Sequence, residues 1–242
     1  MNRPVLVFDM DGVLVDVTES YRETIARTVA HFTGGGVSRR RIQDYKNQGG
    51  FNDDWELTHR IIADAGVNVA FEEVKEHFQR VFLGSAYSGN NGEGAVASDA
   101  LILRERWIAR PGKLEALANR FRLAIFTGRP RAEARLSLRR FAGDLVFDPI
   151  IALEDVENKK PHPEGLLRIL QANRDSSGRA CPAFYVGDTV DDARCARAAE
   201  VPFIGVTAPS SPGYLDLVFL FQAERPYAIV DDINYLDEVF PS

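Results

Sequence analysis

Four apolar residues, Val5-Leu6-Val7-Phe8, run directly into Asp9-Met10-Asp11-Gly12. A strand made from such a run has to be covered on both faces, the condition of a strand inside a parallel sheet with helices on either side. A carboxylate just past the end of that strand lies in the crevice outside the carboxyl edge, where open α/β sheets take their ligands. If extended geometry continues to Asp11, the i, i+2 spacing turns both carboxylates the same way. Gly12 permits the sharp turn that must follow.

The later chain repeats this arrangement. Leu123-Ala124-Ile125-Phe126 ends in Thr127-Gly128-Arg129-Pro130, with a helix expected over 131–141. Pro149-Ile150-Ile151-Ala152 is followed by Glu154-Asp155 and then Lys159-Lys160-Pro161-His162-Pro163, where Pro163 suits the start of a helix. Ala183-Phe184-Tyr185-Val186 ends in Gly187-Asp188-Thr189-Val190-Asp191-Asp192 ahead of an alanine-rich helix. Phe203–Val206 and a weaker β/α pair over 228–240 complete the alternation. The pattern predicts an α/β, Rossmann-like parallel sheet core.

Residues 17–107 differ in texture. Tyr21, Ile25, Val29 and Phe32 fall near helical spacing, and Gly34-Gly35-Gly36 stops the helix they define. Ser38 can cap a second helix to about Asn47, and Asn52, Asp53 and Asp54 offer caps for a third carrying Trp55, Leu57, Ile61 and Ile62. A fourth is expected over 71–83, and no strand within the block. The chain is thus read as a core of residues 1–16 and 108–242 with an inserted all-helical domain over 17–107. A glycine-rich stretch over 84–94 contains Gly92-x-Gly94-x-x-Ala97, a partial dinucleotide fingerprint. No strand precedes it and no helix opens at it, so it is read as a surface loop and no nucleotide cofactor is expected.

Composition narrows the partners. A formal net charge of −6 weighs against a nucleic-acid binder with a basic footprint. No apolar stretch approaches the ~18 residues of a membrane span, and the N-terminus shows no leader pattern. Cys181 and Cys195 are not in metal-like spacing and are read as reduced thiols of a cytoplasmic protein.

In an open parallel sheet the polar strand ends converge: Asp9 and Asp11, Thr127 with Gly128, Lys160, and Asp188 with Asp192. Carboxylates gathered this way repel unless a cation sits among them, and hard oxygen donors select Mg²⁺. Thr127, Gly128 and the following helix start offer donors to an anion, and Lys160 a positive point charge. Plainer roles stand beside these. Thr127 can serve as a helix cap, and Glu154 and Asp155 can form a solvated turn. Lys159 and Arg129 are expected at the surface, Asp191 competes with Asp192 for the outer metal position, and His31, His59, His77 and His162 form no metal-spaced pair.

The four motifs Asp9-Met10-Asp11-Gly12-Val13, Thr127-Gly128-Arg129, Lys160-Pro161-His162-Pro163 and Gly187-Asp188-Thr189-Val190-Asp191-Asp192 stand in the order and contexts of the haloacid dehalogenase-like hydrolases, which this sequence closely resembles. The resemblance implies Asp9 as a nucleophile forming an aspartyl-phosphate, and Asp11 as acid to the leaving oxygen, then base to water. It implies metal contacts from Asp9, the Asp11 backbone carbonyl and Asp188, with Asp192 as an outer partner. Thr127, Gly128 and Lys160 would hold the phosphoryl oxygens, and Lys160 would steady Asp9. Dehalogenating members lack a carboxylate at the position of Asp11, so the expected activity is Mg²⁺-dependent hydrolysis of a small phosphomonoester. A sugar-phosphate mutase and a non-catalytic binding module remain alternatives. The helical insert would be a cap that sets specificity. Within it, Asn47-Gln48-Gly49-Gly50-Phe51-Asn52-Asp53-Asp54-Trp55 either faces a substrate or forms an ordinary turn, and a histidinol-phosphate-like ester is one candidate among several metabolites.

Overall fold

The computed structural model describes residues 3–85, 87, 96–174 and 177–240. The chain forms two compact units, Met1–Val15 with Trp107–Ser242, and Asp16–Arg106. The strands are β1 (Val5–Phe8), β2 (Val15–Asp16), β3 (Arg106–Trp107), β4 (Arg122–Phe126), β5 (Phe147–Ile151), β6 (Ala183–Gly187), β7 (Phe203–Val206) and β8 (Ala228–Val230). The helices are α1 (Tyr21–Thr33), α2 (Arg39–Gln48), α3 (Asp54–Asp64), α4 (Phe71–Leu83), α5 (Lys113–Arg120), α6 (Arg131–Phe141), α7 (Glu164–Ala172), α8 (Val190–Ala198), α9 (Tyr214–Ala223) and α10 (Leu236–Val239).

In the first unit six strands form one sheet in the order β5-β4-β1-β6-β7-β8, with every pairing parallel. The fold is α/β and Rossmann-like, as the alternation predicts. β1 is central because all four of its residues are fully apolar, and it is buried along its whole length. Val5 and Val7 join Phe126, Leu166, Ile169, Tyr185 and Phe221 in one core cluster, while Phe8 meets Phe147 edge-on at 6.5 Å. Two covered faces are what an unbroken apolar strand requires. Pro149 lies in β5, at one edge of the sheet, where a missing backbone donor breaks no central ladder. Phe8 is in register with Ile125 of β4 and Val186 of β6, so the carboxyl ends of the three central strands lie side by side.

The second unit is built on α1–α4. Ser38 caps α2 through Arg41 N–H, and Asp53 is the residue that caps α3, accepting from the amides of Trp55 and Glu56. Gly34 ends α1 in the left-handed conformation, with φ of 70°. Tyr21 of α1 stacks on Phe82 of α4 at 4.1 Å, over buried Ile25, Val74 and Phe78. His31 and His77 stack at 3.9 Å, so two of the four histidines pack ring on ring.

One expectation over 17–107 needs correction. The stretch contains β3, which pairs with β2 in a two-stranded sheet. Two residues carry no periodicity of their own, and the pairing depends on a partner some ninety residues away, roughly the separation of the two strands. Of the glycine-rich stretch read as a loop, residues 86 and 88–95 lie outside the described residues. Among the described residues no helix is long and apolar enough to cross a membrane.

Candidate active site

The site lies wholly within the α/β unit, at the carboxyl ends of β1, β4 and β6. β1 ends at Phe8, but the Asp9 amide still donates to Val186 O at 2.8 Å, which holds Asp9 in line with the ladder and buries its carboxylate. Beyond it the chain leaves the extended path and turns at Gly12, whose φ is 74°. The extended geometry on which a shared direction of Asp9 and Asp11 depended does not reach Asp11, and the two acids meet different cations. Lys160 Nζ lies 3.0 Å from Asp9 Oδ1, whereas Asp11 Oδ1 accepts from Arg129 Nε at 2.6 Å.

Lys160 is the centre of the arrangement. Its side chain is 1% exposed, and Nζ also lies 2.8 Å from Asp192 Oδ1. The ammonium sits 4.7 Å from the ring centroid of Phe126 and 5.4 Å from that of Tyr185, whose π-faces add attraction in a desolvated setting. Asp192 is held on every side: Tyr185 Oη donates to Oδ1 at 2.7 Å, and the Thr189 amide and hydroxyl donate to Oδ2 at 3.1 and 2.6 Å. Thr189 and Asp192 form a reciprocal capping box at the start of α8.

Asp9, Asp188 and Asp192 each bring a carboxylate oxygen to within 4.8 Å of the others. Two of the three, Asp9 and Asp192, lie against the Lys160 ammonium. Burial, with Asp192 and Asp11 adding to it, raises the Asp9 carboxyl to about 7 despite the opposing pull of Lys160. Burial works against Asp192 as well, but Lys160 and the donors on its oxygens hold its carboxyl below the ordinary range. Burial would depress the Lys160 ammonium, and its two carboxylate neighbours more than reverse that. An all-oxygen, net negative donor set of this kind fits a hard divalent cation such as Mg²⁺. Gly12 belongs to the same construction, since a Cβ there would overlap the Asp188 carboxylate. Gly12→Ala is expected to cost about 1–2 kcal/mol for its left-handed backbone and to displace Asp188. Thermal unfolding and Mg²⁺ titration calorimetry check this, and an unchanged Mg²⁺ affinity would contradict it.

Thr127 is buried just past the end of β4, the strand next to β1. Its Oγ1 accepts from the Arg129 amide at 3.1 Å, so it closes the turn after β4, while the cap position of α6 is taken by Pro130. Arg129 departs most from expectation. It is 1% exposed rather than at the surface, with Nη1 donating to Ser137 Oγ at 2.9 Å and Nε and Nη2 both directed at Asp11 Oδ1. Lys159 is exposed. Asp191 is buried and is not one of the three clustered carboxylates, and Arg194 lies 3.9 Å from it. Glu154 accepts from the Arg131 amide, and Asp155 pairs with the Arg131 guanidinium, so these acids anchor the start of α6. His162 is exposed.

The Tyr185 contact and the burial of Arg129 are not in the motif pattern. The first had a sequence signal, because Thr189-x-x-Asp192 is a capping box that fixes where Asp192 sits relative to the strand before it. The second had none.

Comparisons with known proteins identify the family. The profile of the haloacid dehalogenase-like hydrolases matches residues 4–200. An imidazoleglycerol-phosphate dehydratase of Phytophthora nicotianae is 35% identical over 213 residues, 85% of this chain and 44% of that protein, so the chain spans less than half the length of this relative. A phosphorylated carbohydrates phosphatase of Thermotoga maritima is 31% identical over 173 residues, 69% of this chain and 68% of that protein. Among solved structures, a phosphatase from Thermococcus thioreducens superposes with a TM-score of 0.59 at 25% identity, covering 91% of this chain and 98% of the other.

Proposed function

The chain belongs to the haloacid dehalogenase-like hydrolase family and is an enzyme of that family, and on this premise we propose that it is a Mg²⁺-dependent phosphomonoester hydrolase working through an aspartyl-phosphate. The observation that carries the reading is the buried Lys160, bonded to Asp9 on one side and Asp192 on the other at the carboxyl edge of the sheet. A carboxylate nucleophile needs to be held still and kept from repelling the phosphate dianion it attacks, and a lysine in contact with it does both.

In this reading Asp9 attacks phosphorus while Lys160 and the Thr127 hydroxyl, with the Gly128 backbone, hold the phosphoryl oxygens. The Thr127 Oγ1 lone pair is engaged by the Arg129 amide, which leaves its proton for a phosphoryl oxygen. Asp11 gives its proton to the departing ester oxygen and then takes one from the water that hydrolyses the acyl-phosphate. Asp9, Asp188 and the Asp11 backbone carbonyl would hold Mg²⁺, and Asp192, its oxygens engaged by Lys160, Tyr185 and Thr189, would act by fixing the lysine. When bound, Mg²⁺ supplies charge neutralisation to the phosphoryl oxygens.

The helical unit Asp16–Arg106 is taken as the cap that sets substrate choice and shields turnover from bulk water. Two relatives are named for phosphate esters of a glycerol-type chain or of carbohydrates, so the substrate class proposed is a small polyhydroxylated phosphomonoester. A cytoplasmic setting belongs to the same reading, since Cys181 and Cys195 are buried free thiols.

Phosphate release from a panel of sugar, polyol and imidazole-bearing phosphomonoesters tests the proposal. Chelation is expected to abolish release and added Mg²⁺ to restore it; restoration by Zn²⁺ alone would contradict the hard-oxygen site. Conversion of one sugar-phosphate isomer to another without phosphate release would replace hydrolysis with mutase chemistry.

A further inference from the structure

Arg129 is the largest of the fully buried side chains among the described residues, and the functional reading above gives it no task. A guanidinium is never buried without cause, because its charge must be matched and its donors satisfied. Here the match is Asp11. Nε donates to Oδ1 and Nη2 stands in ion-pair contact with the same oxygen, so the fork meets Asp11 at one point, and Nη1 is tethered on the far side to Ser137 Oγ of α6 at 2.9 Å. Ser137 Oγ in turn is 3.4 Å from Glu133 O, on the same helix. The Arg129 amide is also held, by Thr127 Oγ1. Side chain and backbone are thus fixed from two places, the turn after β4 and helix α6, and the fork carries that fixity to Asp11, which sits just before the hydrogen-bonded turn at Gly12.

We infer that Arg129 is a positioning residue that sets which oxygen of Asp11 exchanges the proton. This rests on the phosphomonoester hydrolase reading and deepens it. With Oδ1 claimed by the fork, the transferable proton rides on Oδ2. In the first step a bond forms between an Asp9 oxygen and phosphorus as the ester P–O bond breaks, and the Oδ2 proton passes to the leaving alkoxide. In the second, the Oδ2 carboxylate takes a proton from water as water's oxygen bonds to phosphorus and the aspartyl P–O bond breaks. Without the fork the Asp11 carboxyl loses the contacts that hold Oδ1, and either oxygen can face the substrate. A point-charge lysine does not reproduce a two-donor fork.

Proton donation matters in proportion to how poor the leaving group is, which separates this role from a structural one. The experiment measures kcat/KM, which reports the steps through leaving-group departure, for p-nitrophenyl, phenyl and glycerol phosphates with the full chain and Mg²⁺. Arg129→Gln is expected to lose about 10–100-fold on glycerol phosphate, a part of the range general acid catalysis contributes, and about threefold or less on p-nitrophenyl phosphate, whose leaving group needs no proton. Ser137→Ala, which releases only the tether and leaves Arg129 in place, is expected to show the same ordering with a loss of about two- to tenfold on glycerol phosphate. It supplies the answer if the arginine variant does not fold. An equal loss on all three esters, or no loss in either variant, would overturn the positioning role while leaving the hydrolase reading intact. A wild-type protein inactive on every ester would instead bring down the hydrolase reading and this assignment with it.

Discussion

Asp9→Asn is expected to lose at least about 10⁴-fold in turnover and yet to unfold later than the wild type at pH 8 in the absence of metal. The loss follows from replacing a carboxylate nucleophile by an amide. The gain follows from the environment of Asp9, where burial chiefly, and neighbouring acids with it, raise the carboxyl to about 7. A carboxyl whose folded value lies above its unfolded one prefers the protonated form in the native state. Ionising it costs nothing below about pH 4, costs progressively more up to about 7, and is fully felt above that. The upward shift fixes the sign of the gain, and losing the Asp9 contact with Lys160 offsets part of it. Urea melts at pH 5 and pH 8 with chelator present check this. The stabilising effect should grow with pH in the metal-free protein and shrink when Mg²⁺ is added, because a cation stabilises the ionised wild-type site and not the amide. An effect independent of pH would contradict it.

Lys160→Met should be the most destabilising single change in the site. It leaves Asp9 and Asp192 buried and facing each other without the cation that lies 3.0 Å and 2.8 Å from them. Breaking a buried ion pair by removing one partner typically costs 3–5 kcal/mol, and methionine fills the stem's volume, so the loss is electrostatic rather than a cavity. Asp9 can relieve part of it by taking a proton, which makes the loss larger at pH 8 than at pH 5. The double variant Asp9→Asn with Lys160→Met should recover at least half of the loss, since the two side chains touch and their effects do not add. A Lys160→Met protein as stable as the wild type at pH 8, or a double variant with additive losses, would show that the ammonium does not hold the two carboxylates.

Much of this site was legible because it depends on strand ends. A run such as Val5–Phe8 has no polar face to spare, so it must be central, and whatever follows it must lie at the sheet's carboxyl edge. The same logic placed Asp188 near Asp9, and Thr127 at the end of the strand next to β1, without any knowledge of the contacts among them. Arg129 escaped because burial of an arginine depends on its partner, and Asp11 is 118 positions away with nothing in either local sequence to announce the pairing. The condition for a shared direction of Asp9 and Asp11 was not met: the strand ends at Phe8, and the alternation that would align i and i+2 ends with it. Tyr185 was read only as part of an apolar strand, although its hydroxyl is what separates it from phenylalanine and what reaches Asp192. Within the helical unit the elements followed from capping and periodicity.

The most direct measurement is acid-quench mass spectrometry of the enzyme during turnover of a reactive ester with Mg²⁺, followed by peptide mapping. The account predicts one phosphoryl group on the peptide containing Asp9, present while substrate lasts and absent in Asp9→Asn. A phosphoryl group mapped to another residue, or turnover sustained by the Asp9→Asn protein, would contradict it.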